Sequence, residues 1–341
     1  MRIAMVGYGV VAKNFHKLIE ERKEDLKRRF GIVPKVVAVC DRGGYVHRRR
    51  GFKHEELSKV KKERGTVAAL DEGVKGGKGM DMIDEVEAEV LIEASVANFE
   101  SGRPAMDHII RAFERRMHVI TCNKPPLALA MPSLLEMAWH YGVEFLYSGT
   151  VGGGTPFLSF TSRALRGNPV LSLRGILNGT SNFVLTKMSE MGWSFEEALR
   201  EARRLGYAEE DPTLDIGGFD AAAKLVILAN HAMSRRITLK DVKISGIEHV
   251  SRSEIEDAKG RGRSIKLIAK SDPKPEVGME ELEIDDPLNV GGTLNAVTFN
   301  VLGLGEVVLI GRGAGGMETA SSLLRDLVEL KDRLSLRGMW P

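Results

Sequence analysis

The amino-terminal stretch leaves this chain few ways to fold. Ile3 to Val6 is a short apolar run of strand type, and Gly7-Tyr-Gly9-Val-Val-Ala12 follows it. An amphipathic segment with helical spacing continues to about Arg29, and Lys35 to Cys40 is a second apolar strand closed by Asp41. Two strands joined through a helix lie parallel, because a parallel pair needs a crossover connection. The same alternation then recurs. Ala88 to Ala94 reads as a strand ending at Ser95, and Pro104 to Arg116 as a helix. Met117 to Thr121 reads as a strand, followed by the turn Cys122-Asn-Lys124-Pro-Pro, a helix to Tyr141 and the strand Val143 to Tyr147. Strands alternating with helices predict an α/β fold with a doubly wound parallel sheet. Two segments between these elements have opposite charge. Arg42 to Arg64 carries nine Lys/Arg against three Glu and reads as a solvated loop and helix, whereas Asp71 to Glu93 carries eight acids against two lysines and reads as a helix leading into a strand.

The loop Gly7-x-Gly9-x-x-Ala12 has the spacing of a Rossmann-like dinucleotide site, with alanine at the third position, where close helix–strand packing is still allowed. Gly7 permits the tight turn. Gly9 lets the backbone approach a pyrophosphate at the helix N-terminus, where Val10 and Val11 contribute the first N–H groups. Glycines after a strand often make only a turn; the βαβ context and the acid closing the second strand point to a nucleotide. Asp41 suits the ribose hydroxyls of NAD, whereas Arg42 suits the 2′-phosphate of NADP, so both cofactors remain open. Ser95 ends a strand on the carboxyl edge of the sheet, where ligands sit in such folds. Lys124 lies between a strand and a Pro-Pro turn, either held near a nicotinamide or exposed as an ordinary loop lysine. Cys122 reads as a packed thiol, with no histidine close in sequence. The histidines form no metal-ligand spacing.

The pattern changes at the glycine-rich break Thr150-Val-Gly-Gly-Gly-Thr-Pro156. Residues 1–150 read as the dinucleotide-binding domain, 151–312 as a substrate-binding and dimerisation domain, and 313–341 as a terminal helix, roughly Met317 to Leu334, returning to the first domain. In the second domain Val170 to Leu177, Ser264 to Ala269, Glu281 to Ile284, Ala296 to Val301 and Glu306 to Ile310 read as strands. Gly179 to Glu190, Phe195 to Leu205 and Phe219 to Met233 read as helices, giving an α+β domain of mainly antiparallel strands. Its most telling segment is Tyr207 to Lys224, where four carboxylates precede an apolar helix that holds one lysine, Lys224. Asp220 and Lys224 are spaced i,i+4 and share a helical face. A lysine in such a helix is matched by acids or loses its proton, the setting of a proton-transferring lysine. Taken alone, the pair reads first as a structural ion pair.

Composition excludes several classes. The chain has 341 residues, 43% hydrophobic and 28% charged, with a net charge of +2. That is an ordinary globular balance with no footprint of a nucleic-acid binder. No apolar run is long enough to span a bilayer. The first residues enter a strand directly, with no signal peptide, and Cys40 and Cys122 offer no disulfide framework, which together predict a cytoplasmic protein. Glutamine is absent while Lys, Arg and Glu abound, a bias of thermophilic chains.

Taken together, these residues resemble the homoserine dehydrogenase family. The resemblance spans nearly the whole chain: the Gly7-x-Gly9 loop, Asn123-Lys124-Pro125, Val151-Gly-Gly-Gly-Thr-Pro156, Gly175-Ile-Leu-Asn-Gly-Thr-Ser-Asn-Phe183, Gly206-Tyr-Ala-Glu209, Asp215 through Lys224, and Gly311-Arg-Gly-Ala-Gly-Gly316. It implies NAD(P)-dependent interconversion of L-homoserine and L-aspartate 4-semialdehyde on the route to threonine and methionine, by a homodimer. Glu209, Asp215 and Asp220 match substrate carboxylates, and Asn178, Gly179 and Thr180 match the loop that shapes the substrate pocket. Lys224 matches the acid/base lysine, and Lys124 a second lysine touching substrate and nicotinamide. Ser95, Gly206, Glu209 and Gly315 match cofactor contacts. The family often binds sodium through a Glu where this chain has Ser148. The carbonyls of Val151, Gly153 and Thr155 remain, so the expectation is weak metal binding or none. No regulatory ACT domain or aspartokinase domain is expected. Two other readings stand beside the dehydrogenase: another NAD(P)-dependent reductase of the same fold, and a non-catalytic dinucleotide-binding protein.

Overall fold

Apolar runs of strand length, each leading into a helix with one apolar face, assemble into a sheet whose central strands run the same way. The computed structural model of the protein describes residues 1–336 and Gly338. The chain divides into two compact units, Met1–Thr150 with Gly316–Pro341, and Val151–Gly315. In the first unit β1 (Arg2–Val6), α1 (Val10–Glu21), α2 (Lys23–Phe30), β2 (Lys35–Asp41), β3 (Gly44–His47), α3 (His54–Arg64), β4 (Val74–Lys75), α4 (Gly79–Glu85), β5 (Val90–Glu93), α5 (Ala105–Glu114), β6 (His118–Thr121), α6 (Lys124–Tyr141) and β7 (Phe145–Leu146) follow one another. Their order in the sheet is β4-β3-β2-β1-β5-β6-β7. Strands β2, β1, β5, β6 and β7 are parallel, and the direction of winding reverses beside β1, between β2 and β5. The carboxyl ends of β1 and β5 therefore meet at the switch point of a doubly wound sheet, where such folds bind ligands.

Continuous apolar strands belong in a sheet covered on both faces. One core cluster holds Ile3, Met5, Phe15, Ile19, Val39 and Ile92 together with Leu323, Leu327, Leu330 and Leu334 of the C-terminal helix, Gly316–Leu336. Each such side chain contributes about 1.5–3 kcal/mol through burial.

Three features depart from the sequence reading. The basic segment after Asp41 is not simply a loop and helix. Asp41 and Gly44 face each other across a two-residue turn, Arg42-Gly43, and β3 pairs antiparallel with β2 before β4 adds a further antiparallel edge. The amphipathic stretch to Arg29 is two helices, separated at Arg22, whose side chain bonds Asp25 at 2.8 Å. Helix α6 is kinked at Ala130, two residues before Pro132, whose ring and missing N–H interrupt regular helix.

The second unit contains α7 (Phe157–Ser159), β8 (Val170–Ile176), α8 (Gly179–Met191), α9 (Phe195–Arg204), α10 (Thr213–Ile216), α11 (Phe219–Met233), β9 (Lys243–Ile244), α12 (Arg252–Gly260), β10 (Arg263–Lys270), β11 (Glu276–Glu283), β12 (Leu294–Val301) and β13 (Gly305–Arg312). Its sheet order is β13-β12-β8-β10-β11-β9, antiparallel except where β9 joins β11. Strand β11 starts earlier than the Glu281 of the sequence reading. Its acids hide the strand pattern because they are answered across the ladder. Glu283 pairs with Arg263 at 2.5 Å, Glu280 pairs with Lys270, and Val277 and Leu282, on opposite faces of the strand, are its buried residues. Among the described residues no helix is long and apolar enough to cross a membrane.

One acid in the C-terminal helix carries a cost. Asp326 is 2% exposed and accepts a hydrogen bond from the Ser148 N–H at 2.8 Å. Burial raises its pKa to about 6, against the smaller opposing effects of Ser148, Arg325 and Arg333. The folded state holds this proton up to a higher pH than the unfolded chain, so stability falls as pH rises from about 4 through 6. Asp326→Asn keeps the acceptor for Ser148 and abolishes the titration. Denaturant unfolding is expected to show the variant more stable at pH 8, by up to about 3 kcal/mol, with the gain shrinking to roughly half at pH 5.

Candidate active site

Gly7 has φ +87°, and a side chain there would put its Cβ 2.2 Å from the Ala94 carbonyl oxygen and 2.7 Å from Ser95 N. Only glycine lets β1 turn off so close to the end of β5. Gly9 differs, since a Cβ on it would meet nothing within 4 Å. It caps α1 without any side-chain bond, and the first turn holds no acid. Val10 is 69% exposed, and Val11 is half-buried. A helix start with an open approach and unsatisfied N–H groups fits a pyrophosphate, so the dinucleotide loop meets its chemical requirements. Ser95 follows β5. Asn123 caps α6, donating through Nδ2 to the Ser95 carbonyl at 3.1 Å, and Lys124 is the first residue of that helix. The Oδ1 of Asn123 is buried without a hydrogen-bond partner, an acceptor left available at this edge. Burial pushes the Cys122 thiol up to about 12, the state of a packed thiol rather than a nucleophile.

Asp41 is held by neighbouring donors. Its side chain is 2% exposed, and both carboxylate oxygens are taken. Oδ1 accepts from Thr66 Oγ1 at 2.6 Å and Gly43 N at 3.0 Å; Oδ2 accepts from Lys61 Nζ at 2.6 Å and Val67 N at 3.0 Å. Burial would raise its pKa, yet these bonds outweigh it and hold the carboxyl below its usual range. The acid therefore closes the hairpin after β2, with protein donors on both of its oxygens. The sequence reading missed Lys61 and Thr66, because only the hairpin brings them back to Asp41. Arg42, at the turn, is exposed and has no ion pair among the described residues.

The second unit gathers the acids around the lysine. Helix α11 is buried along most of its length, and Lys224 is 7% exposed within it. Its ammonium meets Asp220 Oδ2 at 2.6 Å, one turn back, and donates to the Leu177 carbonyl at 2.7 Å. Leu177 follows β8, and the next residue, Asn178, is the N-cap of α8. Its Oδ1 accepts from Ser181 N at 2.8 Å, which fixes the amide orientation. Its Nδ2 then donates to Asp215 Oδ1 at 2.6 Å and to Asp220 Oδ2 at 2.9 Å. Gly179 begins the helix where a Cβ would come within 2.9 Å of the Thr293 carbonyl oxygen. Thr180 donates to the Tyr207 carbonyl at 2.7 Å. Lys224, Asp220, Asp215 and Asn178 thus form one continuous set, in which two carboxylates outnumber one ammonium.

Other expected residues stand apart from that set. Glu209 is exposed and makes no hydrogen bond or ion pair among the described residues. Gly206, with φ +74°, lies just past the end of α9, and Gly315, with φ +137°, is the last residue of the second unit. In the turn beginning at Val151, Thr155 N bonds the Gly152 carbonyl at 2.8 Å, the Thr155 carbonyl accepts from Phe157 N at 2.9 Å, and Gly153 has φ +53°. Ser148 lies before this turn and contributes no charge. Among the described residues no group of three or more His, Cys, Asp or Glu could hold a metal ion.

Comparison with known proteins bears on this geometry. The sequence model of the homoserine dehydrogenase family matches residues 156–328, and that of the glutamate/leucine/phenylalanine/valine dehydrogenases matches residues 1–105. The chain is 43% identical over 331 residues to the homoserine dehydrogenase of Methanocaldococcus jannaschii, covering 97% of this chain and 98% of the relative. It is 38% identical to the NAD(+)-dependent homoserine dehydrogenase of Pseudomonas canavaninivorans, covering 96% of each. A crystal structure from Archaeoglobus fulgidus that carries the homoserine dehydrogenase name superposes with a TM-score of 0.89 at 35% identity, over 97% of this chain and 99% of that one. A hyperthermophilic archaeal homoserine dehydrogenase in complex with NADPH follows at 0.84 and 29%, over 97% and 98%. A reductase that shared only the amino-terminal domain would not match over residues 156–328, nor would it have relatives of this name along its whole length. The chain belongs to the homoserine dehydrogenase family of NAD(P)-dependent oxidoreductases acting on a CH–OH group.

Proposed function

We propose that Lys224 moves the proton in the interconversion of L-homoserine and L-aspartate 4-semialdehyde, and that Asp215 and Asp220, held by Asn178, bind the substrate's ammonium and hydroxyl. The observation that carries this is the junction at Asn178, whose amide joins both carboxylates beside a lysine bonded to Asp220 and to a main-chain carbonyl. When bound, the nicotinamide supplies hydride transfer at C4 of the substrate. Oxidation of the C4 hydroxyl also releases a proton, and Lys224, in its neutral form, is the base that takes it; in reduction the ammonium returns it. Glu209 adds a third carboxylate for the ammonium.

The state of Asp41 favours NADP over NAD. An acid available to the ribose would select NAD and repel a 2′-phosphate, but here Lys61 neutralises it and Arg42 is the exposed group. The carbonyls of Val151, Gly153 and Thr155 can ligate a hard cation, but Ser148 supplies no charge beside them, so sodium binding is weak or absent and no step is routed through a metal. A homodimer would use the outer edge of β13, where unpaired backbone and the exposed Ile310, Leu302 and Leu304 invite a second copy. Free thiols at Cys40 and Cys122 suit the cytoplasm.

Three measurements test these roles. Lys224→Ala is expected to lower turnover of homoserine by about 10²–10⁴-fold, the usual range for lost proton transfer, with dinucleotide affinity retained in direct titration. Near-normal turnover would overturn the assignment. Arg42→Ala should weaken NADP+ about tenfold or more and leave NAD+ within about twofold, since only the former carries the extra phosphate; equal losses for both would remove Arg42 from cofactor choice. Gly9→Ala should keep wild-type thermal stability, because the added methyl meets nothing, yet weaken both dinucleotides by closing the backbone approach. Unchanged affinity would place the pyrophosphate elsewhere.

A further inference from the structure

Strand β5 ends in a carboxylate with no exposure at all, Glu93. An unpaired buried charge is costly, and apolar side chains fill the rest of this strand. Glu93 is held by specific partners. One oxygen, Oε1, accepts from Ser95 N at 3.2 Å and also from the Ser95 hydroxyl. The Thr121 hydroxyl, with its one hydrogen, bonds the Glu93 carbonyl at 3.1 Å and lies 3.4 Å from the other carboxylate oxygen, which shares that hydrogen. Asn123 N donates to Thr121 Oγ1 at 2.9 Å, and Asn123 Nδ2 returns to the Ser95 carbonyl at 3.1 Å. The ring Glu93–Ser95–Asn123–Thr121 is therefore closed, and the cap of α6 immediately before Lys124 is part of it. His108, also buried, brings Nδ1 to 3.5 Å from Oε1. Gly7 lies against the same segment, with room for no side chain between it and Ala94–Ser95.

We propose that Glu93 is a positioning residue of the dehydrogenase, which fixes Ser95 and the Asn123–Lys124 turn so that the nicotinamide end of the cofactor meets a rigid edge. This rests on the reading of Ser95 and Lys124 as cofactor contacts. A carboxylate suits the task because one oxygen accepts from both the N–H and the hydroxyl of Ser95, while the other reaches the next strand. Backbone at the switch point, which in an apolar setting would have no partner, is thereby set in one conformation.

The test uses the full-length protein and two readouts, direct NADPH titration by fluorescence and steady-state oxidation of homoserine. Glu93→Leu conserves volume and removes every acceptor. It is expected to weaken NADPH and lower kcat, each by about tenfold or more, as misplacement of a positioned group does, with KM for homoserine within about twofold. Glu93→Gln keeps one acceptor oxygen and should lose about threefold to tenfold in NADPH affinity. A folded Glu93→Leu protein with NADPH affinity and kcat both near wild type overturns the proposal, and so does an equal loss in cofactor and homoserine parameters, which marks general damage. Should Glu93→Leu fail to fold, Glu93→Gln decides alone: selective loss of NADPH affinity supports the role and unchanged affinity removes it. If the wild-type protein binds NADPH but does not oxidise homoserine, the dehydrogenase assignment fails while the titration still decides for Glu93.

Discussion

A charged nitrogen inside an apolar helix has to be answered by oxygen, and around Lys224 that demand organises the second unit. Asp220 answers from the same helix, the Leu177 carbonyl from the end of β8, and Asn178 carries the interaction on to Asp215 before α11. Removing one partner of such a pair leaves an uncompensated buried charge, a loss of about 3–5 kcal/mol, whereas the intact set is internally matched. The same residues that keep the lysine soluble in the core hold the carboxylates in a fixed constellation. Folding and chemistry therefore use one set of contacts.

The limits of α11 were legible because its signals are local: Gly217-Gly218 before it, an apolar run through it and an acid one turn from the lysine. The doubly wound parallel sheet was legible for the same reason, as β1, β2, β5, β6 and β7 each show a strand pattern and helical segments lie between them. What escaped depends on distant residues. Nothing near Asp41 in sequence announces that Lys61 and Thr66 will bond its oxygens, so the structural part played by an acid in a nucleotide-binding position is invisible there. Asn178 was readable as part of a substrate loop, but its role as a bridge between two carboxylates follows only from the packing of α8 against the loop before α11. Strand β3 is four residues long and lies beside a run of arginines, and β11 presents acids to partner bases across the ladder; both lack the alternation by which strands are found. The two-residue turn Arg42-Gly43 before Gly44 was the available signal for the first.

The first unit uses acids at strand ends in a consistent way. Asp41 at the end of β2 and Glu93 at the end of β5 both turn inward and accept from a main-chain N–H just beyond their strands, that of Gly43 and that of Ser95. Loops at the carboxyl edge of a parallel sheet have no ladder to define them, and a buried carboxylate with several donors supplies that definition. The exposed face of the edge is left to glycine, serine, arginine and lysine.

Because the C-terminal helix belongs to the first unit, that unit is discontinuous along the chain. Leu323, Leu327, Leu330 and Leu334 fill the same core as Phe15 and Ile19, yet a ribosome delivers them only after the whole of Val151–Gly315. The amino-terminal unit, although synthesised first, cannot complete its interior until the final helix emerges, whereas Val151–Gly315 is contiguous and has all its parts earlier. The order of synthesis and the order of completion are therefore reversed, and a ribosome stalled shortly before Gly316 would hold a nascent chain whose older half still exposes the surface meant for those leucines.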